Sequence, residues 1–532
     1  LIASWNASYN QVTRINPDDR YAQATVMGDK SQGVENAYLN WMSSVTSSLF
    51  EVEMGHLMYS NLTEKKKTAG FDLEYPFTGG GNKQTVKAGY LGTFRNADFQ
   101  QKYLHAMFPL KPSNASPEEM QEYERQWAAY QELSNSHPNL QELYDPRNFG
   151  SGAIYYASSG VQGSEGAEYY EGSQHIHAAY LMGEFSFLRR FHLTAGFRME
   201  DATTDVRTKV KQKADSLVTV KKTDWLPAAT LVYNITDNFN ARFAYSRTIA
   251  RPDFRELTPC MYYNVDDRIT VIGTSQIKQS FTDNYDLRLE WYPAPGEVVS
   301  VSAFYKKFNL PVENVTYKTS DGNYKLYPFN LDESTVKGIE LNVRKSLGFL
   351  APGSFLKDIY LSGNATLLKG DVKYDMGQLL TSVFGGEKDK NGTGDRNRPL
   401  QGLAPYTVNA GLAYQGSIFG AAVNYGRNGR KLLFAGLYEK YDQYEASRDV
   451  LDLQISARLL KSRMEIKFNA SDLLNQDIIV YQNCSPSKTD RDPANDKAYV
   501  DLTSDMNYNS GDWVLSRIKK GVNLSLSVSY KF

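Results

Sequence analysis

The chain ends on Gly521 to Phe532, GVNLSLSVSYKF, where apolar and polar residues alternate without a break. Val522, Leu524, Leu526, Val528, Tyr530 and Phe532 fall on one face of a strand; Asn523, Ser525, Ser527, Ser529 and Lys531 fall on the other. The same period returns all along the 532 residues. No run approaches the ~18 apolar residues that a membrane-crossing helix needs, and mean hydropathy is -0.50. That excludes a helical membrane protein. It does not exclude a β-barrel, whose strands are apolar on one face only.

Alternating segments start at Ala3–Tyr9, Ala69–Tyr75 and Val86–Phe94, and resume at Ile176–Met182, Leu193–Met199, Trp225–Tyr233 and Phe239–Tyr245. Tyr285–Trp291, Val299–Tyr305, Ile339–Val343, Ile359–Leu367, Tyr406–Tyr414, Phe419–Tyr425, Leu451–Ala457 and Met464–Phe468 complete the set before the final strand. The count is about sixteen, and short turns alternate with long loops. A soluble sandwich has no reason to gather every long connection at one end. A barrel in an outer membrane does, with short periplasmic turns and long extracellular loops. The fold expected is all-β: a transmembrane antiparallel up-and-down β-barrel.

The strand faces then differ in meaning. The uncharged face meets lipid. The opposite face carries Arg198, Glu200, Arg242, Asp286, Arg288, Glu290, Glu340, Arg344, Glu465 and Lys467, and charges at spanning positions belong in a wet lumen. These charges form either a mutually paired wall or a ligand-binding surface. Aromatic residues make up 13% of the chain, 37 of them Tyr. They fit girdles at the membrane surface and equally a sugar-binding surface. The net charge of -1 offers nothing to nucleic acid.

About seventy residues after Arg95 lack the alternation, far beyond the usual loop length. Within them Ser116-Pro117-Glu118-Glu119 reads as a capped helix start, followed by Met120, Tyr123, Trp127 and Tyr130 at helical spacing. That face either packs the loop down, which its spacing favours, or offers aromatics to a ligand.

Tyr245-Ser246-Arg247-Thr248-Ile249-Ala250-Arg251-Pro252 resembles a segment of the TonB-dependent outer-membrane receptors, found where a mid-barrel strand runs out into an extracellular loop. Asp224-Trp225-Leu226-Pro227 is similar to that family's approach to the neighbouring strand. Asn469-Ala470-Ser471-Asp472-Leu473-Leu474-Asn475-Gln476 resembles its Asn-Leu-Leu-Asn segment, with Ala-Ser-Asp where Val-x-Asn is more usual. The terminal Phe532 is the residue type that the barrel-assembly machinery reads.

The resemblance implies a barrel of 22 strands around an N-terminal plug, reached by TonB through a short N-terminal box. Here residues 1–532 correspond to the C-terminal portion of such a barrel. Plug, box and about six strands are expected on upstream residues or another chain. The implied function is an active transporter. A scarce nutrient binds on the extracellular side, and TonB, driven by the proton-motive force, rearranges the plug. The implied partners are the TonB complex, the plug, a surface lipoprotein and outer-membrane lipids. No enzyme activity and no cofactor are implied. A passive sixteen-stranded porin and a soluble β-rich sugar-binding protein are the competing readings.

Candidate ligand-binding residues are the lumen or loop arginines Arg198, Arg242, Arg247, Arg288 and Arg344, with Trp127, Tyr262 and Tyr263. His175 and His177 at i, i+2 suit a metal only if further ligands join them, and read better as polar lining. Asp389 to Asp395 lacks the glycine placement and terminal Glu of a calcium loop. Cys260 and Cys484 lie in loops on the extracellular side, and their pairing is open. No spacing singles out a catalytic triad or carboxylate pair.

Overall fold

The structure is a computed structural model. It describes the chain except residues 23–24, 28–37, 41–54, 209–215, 265–268, 319–323, 374–397, 437–440, 484–506 and 509–511, and short pieces between 108 and 168. Sixteen long strands dominate it. They are β1 (Ile2–Ala22), β2 (Gly55–Gly79), β3 (Asn82–Met107), β4 (Tyr169–Phe187), β5 (Phe191–Thr208), β6 (Ser216–Thr236), β7 (Phe239–Ala250) and β8 (Ser280–Trp291). Then come β9 (Val298–Asn309), β10 (Glu333–Ser346), β11 (Ile359–Lys373), β12 (Tyr406–Gln415), β13 (Phe419–Asn428), β14 (Arg448–Leu459), β15 (Met464–Ser471) and β16 (Asn523–Tyr530). Each pairs antiparallel with its predecessor, from β1–β2 through β15–β16. All sixteen alternating segments are strands of this one sheet. No described pairing joins β1 to β16, so a closed sixteen-strand ring is not formed among the described residues.

The connections alternate as the sequence suggests. Two residues, Gly80 and Gly81, join β2 to β3, with φ of 60° and 80°, the double left-handed conformation of a tight hairpin turn. The matching turns after β4, β6, β12 and β14 are also tight. After β10 the same end carries two short 3-10 turns, Leu347–Phe349 and Phe355–Asp358.

On the wall, strand parity sorts the side chains as expected except on β4, where Ile176, Ala178, Tyr180 and Met182 face the lumen and Ala179 and Leu181 face outward beside Tyr90 and Phe197. Leu524, Leu526 and Val528 face outward, and Leu526 is 69% exposed. Trp5, Phe71, Leu181, Trp225, Leu287, Leu341, Leu412 and Ile455 extend the apolar face around the sheet, all exposed. A water-soluble surface does not show a continuous apolar belt of this extent. Lipid satisfies it.

The inner face is ionic, and much of its charge is paired. Lys87 bridges Glu74 (3.4 Å) and Glu184 (3.0 Å), and Glu465 takes both Arg458 (3.5 Å) and Lys467 (3.7 Å). Tyr180 donates to Asp72 (2.7 Å) across Gly89, where any side chain would meet both partners.

Two features depart from the sequence reading. First, strands near the N-terminus are far longer than the ~9–11 residues needed to span a bilayer. β2 has 25 residues and β3 has 26, so they continue well past Phe94, where the alternation stops being apolar. The pairing survives because hydrogen bonding needs no apolar face. Part of the long non-alternating stretch is therefore strand. The helix within it is present: α1 spans Pro117–Asn135, and its capping box is made, with Glu119 N–H donating to Ser116 Oγ (3.2 Å) and Ser116 N–H to Glu119 Oε2 (2.7 Å).

Second, the long loops carry a sheet of their own. Met261–Asn264 and Ile269–Ile272 belong to the β7–β8 loop, Val312–Lys318 and Tyr324–Asn330 to β9–β10, Lys431–Gly436 and Gln443–Glu445 to β13–β14, and Ile478–Gln482 and Trp513–Ile518 to β15–β16. These eight short strands pair edge to edge. The β9–β10 hairpin pairs directly with the β13–β14 hairpin, although two wall strands, β11 and β12, lie between their roots. At about 4.8 Å per strand the hairpins must lean out of line with the wall to meet.

Candidate functional site

The buried residues cluster around the long loops. The segment after β7 is the best-anchored part. Pro252 ends the β7 ladder because it has no N–H to donate. The next residues turn back, with Glu256 N–H donating to the Asp253 carbonyl (3.1 Å) and Leu257 N–H to the same oxygen (3.3 Å). This folds Phe254, Leu257 and Cys260 onto the lumenal faces of β3, β4 and β5, where Ala97, Phe99, Tyr170 and Val206 receive them. Phe254 is 1% exposed, and its ring fills the place a side chain at residue 172 would need; a Cβ on Gly172 would lie 2.5 Å from the ring.

Two arginines pin this latch to the wall. Arg95 on β3 holds both oxygens of Glu64 on β2 (2.7 Å each) and reaches Asp253 Oδ1 (3.0 Å), with its guanidinium 4.5 Å from the centre of the Phe254 ring. Arg251 donates to Glu200 Oε2 on β5 (2.6 Å) and Asp224 Oδ2 on β6 (3.0 Å). Gln279, at the foot of β8, completes Asp224 (2.8 Å). Arg251, Glu200 and Asp224 are largely buried, so their charge-assisted bonds act with little screening from solvent, whereas Asp253 is exposed. The latch thus ties the β7–β8 loop to strands β2 through β6. Burial pushes the Cys260 thiol up to about 11. Cys260 is a free thiol, and Cys484 lies outside the described residues.

A second anchor holds the β11–β12 loop. Arg398 and Glu313 form a buried pair, and the Gln401 N–H donates to the other Glu313 oxygen (2.7 Å). Gln401 in turn accepts from Asn314 N–H (2.8 Å) and donates to the Leu433 carbonyl (2.6 Å), stitching three loops together. At the end of β15 the Asn469–Gln476 segment makes a turn with Asp472 and Asn475 at positive φ, and Asp472 pairs with Arg448.

The candidate residues from sequence fall as follows. Arg198 faces the lumen but is held by Glu200 (2.6 Å). Arg288 lies beside Glu290 (2.8 Å) and Arg242 3.6 Å from it, also on the lumenal wall. Arg344 stacks over the Tyr360 ring (5.3 Å). Arg247 is different: its parity with Tyr245 and Ile249 puts it on the outward face, where its guanidinium lies over Phe281 (4.8 Å). Trp127 packs within α1 between Tyr123 (6.1 Å) and Tyr130 (5.3 Å), and Tyr130 is buried. Tyr262 and Tyr263 lie in a loop strand paired with Thr270 and Val271; their side chains fall outside the described set.

Arg242 and Arg288 are cross-strand partners that share Glu290, whereas Arg198, Arg247, Arg344 and Trp127 lie elsewhere, so these six side chains do not converge on one cavity. His175 and His177 also change sides. Both face outward, where His177 shares a hydrogen bond with Tyr90 (2.7 Å) and Phe94 packs edge-on against both rings. They are not lumenal lining. No group of three metal-ligating side chains occurs among the described residues.

The latch residues Arg95, Glu64 and Asp253 carry no sequence signal as a group, because they come from three distant places. Arg251 and its partner Asp224 do lie in the two family-like segments, but nothing in those segments says that they meet.

An outward apolar belt, a paired ionic lumen face and long loops anchored at one end define the wall of an outer-membrane-type β-barrel. The chain belongs to the family described as TonB dependent receptor-like, beta-barrel, which matches residues 4–473. Among solved structures it is similar to the unliganded ferric citrate transporter FecA, at 11% identity and a TM-score of 0.53, over 91% of this chain and 60% of that one. It is also similar to the closed form of the ferric-catecholate import receptor Fiu from K12 E. coli, at 14% identity and a TM-score of 0.50, over 89% and 58%. The chain thus spans about 60% of their length, and at such identity the likeness is one of fold. No curated protein matches it.

Proposed function

We propose that the chain is the wall and loop surface of an outer-membrane receptor that binds a scarce nutrient outside the cell and imports it with TonB-coupled energy. The observation that carries this reading is the paired ionic lumen face inside an apolar belt, with loops gathered and anchored at one end, in a chain of this receptor family. A wall lined by paired charges suits a lumen occupied by another polar body. That role falls to the plug, which together with the TonB-contacting segment is assigned to residues outside this chain. The family is one of transport receptors rather than enzymes, and the wall asks for no bond-making chemistry. The nutrient is caught at the loops and released by movement of the plug, so the coupling is mechanical. A surface lipoprotein over the loop sheet and outer-membrane lipids around the belt complete the proposed partners.

The test is growth of a deletion strain and its complemented parent on single limiting nutrients: ferric citrate, a ferric catechol chelate, cobalamin and a defined glycan. Uptake of one of them that needs the gene and stops with a protonophore supports the reading. Uptake that continues unchanged under the protonophore refutes active import and returns the porin.

A further inference from the structure

The outward face of β9, β10 and β11 carries an arrangement that transport does not explain. Its cross-strand rows can be followed outward from the apolar belt. Val301, Leu341 and Ala365 share one row, and Ala303, Ile339 and Leu367 the next. Leu367 is 63% exposed, so this level meets lipid. The following row is Tyr305, Lys337 and Lys369, continued on the other side by Tyr285 and Tyr245. The three tyrosines lie ring to ring, at 5.1 Å and 6.2 Å, which is how a girdle marks the membrane surface. Lys307 stands one row further out, beside Thr335 and Asp371.

Lys337 and Lys369 are therefore direct cross-strand partners at the girdle. Like charges placed directly opposite destabilise a sheet. Nothing in the wall offsets this for Lys337, which has no ion pair or hydrogen bond among the described residues. Among the described residues Lys369 touches only Asp371, at 3.9 Å, and is 69% exposed. The nearby Glu333 is occupied by Lys307 (2.8 Å) and Lys373 (3.6 Å) and lies two rows further from the apolar belt. On the neighbouring strands Arg247 lies over Phe281, and its Nε is buried without a hydrogen-bond partner. Lys337 and Lys369 thus sit nearest the lipid, and the nearest outward acids, Asp283 and Asp371, stand one row further out, level with Arg247 and Lys307.

We infer that Lys337 and Lys369, with Lys307 above them and Tyr305 beside them, hold a phosphorylated headgroup of an outer-leaflet lipid. A phosphate between the two ammonium groups turns their repulsion into two charge-assisted contacts, while the acyl chains lie along Ile339, Leu341 and Leu367. Charge complementarity and the depth of the pair select this occupant: only an amphiphile has its anion at the girdle and its chains on the belt below. The inference rests on the membrane placement of that face and is separate from what is transported.

The test uses the protein purified in detergent and placed in nanodiscs of zwitterionic lipid doped with a diphosphorylated glycolipid. Retained phosphorylated lipid is read by native mass spectrometry, before and after added inorganic phosphate. Loss of about 1 kcal/mol per cation corresponds to about fivefold each, so Lys337→Ala with Lys369→Ala should weaken retention about 25-fold. The Lys337→Arg, Lys369→Arg variant should keep it, which separates charge from folding. Lumenal Lys306→Ala should change nothing. Retention unchanged in the double alanine variant overturns the inference. So does inorganic phosphate binding as tightly as the lipid, which would make the site one for a free ion. Extraction of the protein without detergent would instead overturn the membrane reading, and is scored separately.

Discussion

Removing the Arg251 side chain should open the latch without unfolding the wall. Arg251 faces two carboxylates whose side chains are 11% and 6% exposed, Glu200 and Asp224. Breaking a buried ion pair from one side costs about 3–5 kcal/mol, because the remaining charge stays uncompensated. Here Glu200 keeps Arg198 and Asp224 keeps Gln279, so the cost falls to about 2–3 kcal/mol. It is borne by the segment that Arg251 pins, from Asp253 to Cys260.

The buried thiol reports on that segment directly. Cys260 reacts only when the latch lifts, and its rate follows the open population when closing is fast. A loss of 2–3 kcal/mol raises that population about 30- to 150-fold. The assay is maleimide labelling of Cys260 in a Cys484→Ser background, read by intact mass. Arg251→Ala should accelerate labelling by that factor, with Arg251→Lys between it and the parent. Arg344→Ala, whose contact is the Tyr360 ring, is the control and should leave the rate unchanged. An acceleration below about threefold would refute the reasoning, because it would mean that the ion pairs do not hold the loop.

Gly172→Val should lift the same latch by another route, since its side chain would occupy the Phe254 ring position; overpacking of this kind costs about 1–3 kcal/mol, and Cys260 labelling should rise accordingly. Leu341→Arg places a charge on the lipid face and should cost about 2–4 kcal/mol in refolding into bilayers, while Asn342→Arg, one residue on and lumenal, should refold like the parent. The Lys345 ammonium, helped by the Ser346 N–H, holds the Glu297 carboxyl in the β8–β9 turn below its ordinary value. A lowered value means the anchor is fully present above the unfolded value of about 4.3 and is lost as pH falls through the folded one. Pepsin cleavage within 292–297 should therefore begin only as the acid deepens below about pH 4, and Glu297→Gln should be cut with no such threshold.

The wall was legible in the sequence because its rule is local. A strand in lipid must alternate, so Ala3–Tyr9 and Val522–Phe532 declared themselves equally, and short turns fixed which end was which. Strand length was not legible. Beyond Phe94 the pairing of β2 with β3 continues between polar side chains, and nothing in a polar run separates a paired strand from a loop. The side of the wall was readable where a residue sat in a clean alternation. Parity from Phe243 and Tyr245 already puts Arg247 outward; its charge argued the other way, because a charge at that depth is costly until the girdle shows that the membrane has ended. The latch could be read only in part: Asp224 and Arg251 lie in segments that stand out, but Glu64 and Arg95 do not, and the four meet only after six strands have paired. The loop sheet was hidden for the same reason: its short strands look like isolated fragments until their partners in other loops are known.

That loop sheet has an immunological consequence. Its eight strands come from four loops, and each hairpin is held in shape by a neighbour from elsewhere in the chain. The surface offered to an antibody or a phage is therefore composite. A synthetic peptide copying one loop lacks the strand that pairs with it and would present a different shape. Sequence drift within one hairpin would likewise alter the epitope formed with its neighbours, so recognition could be lost through a change in a loop the binder never touches.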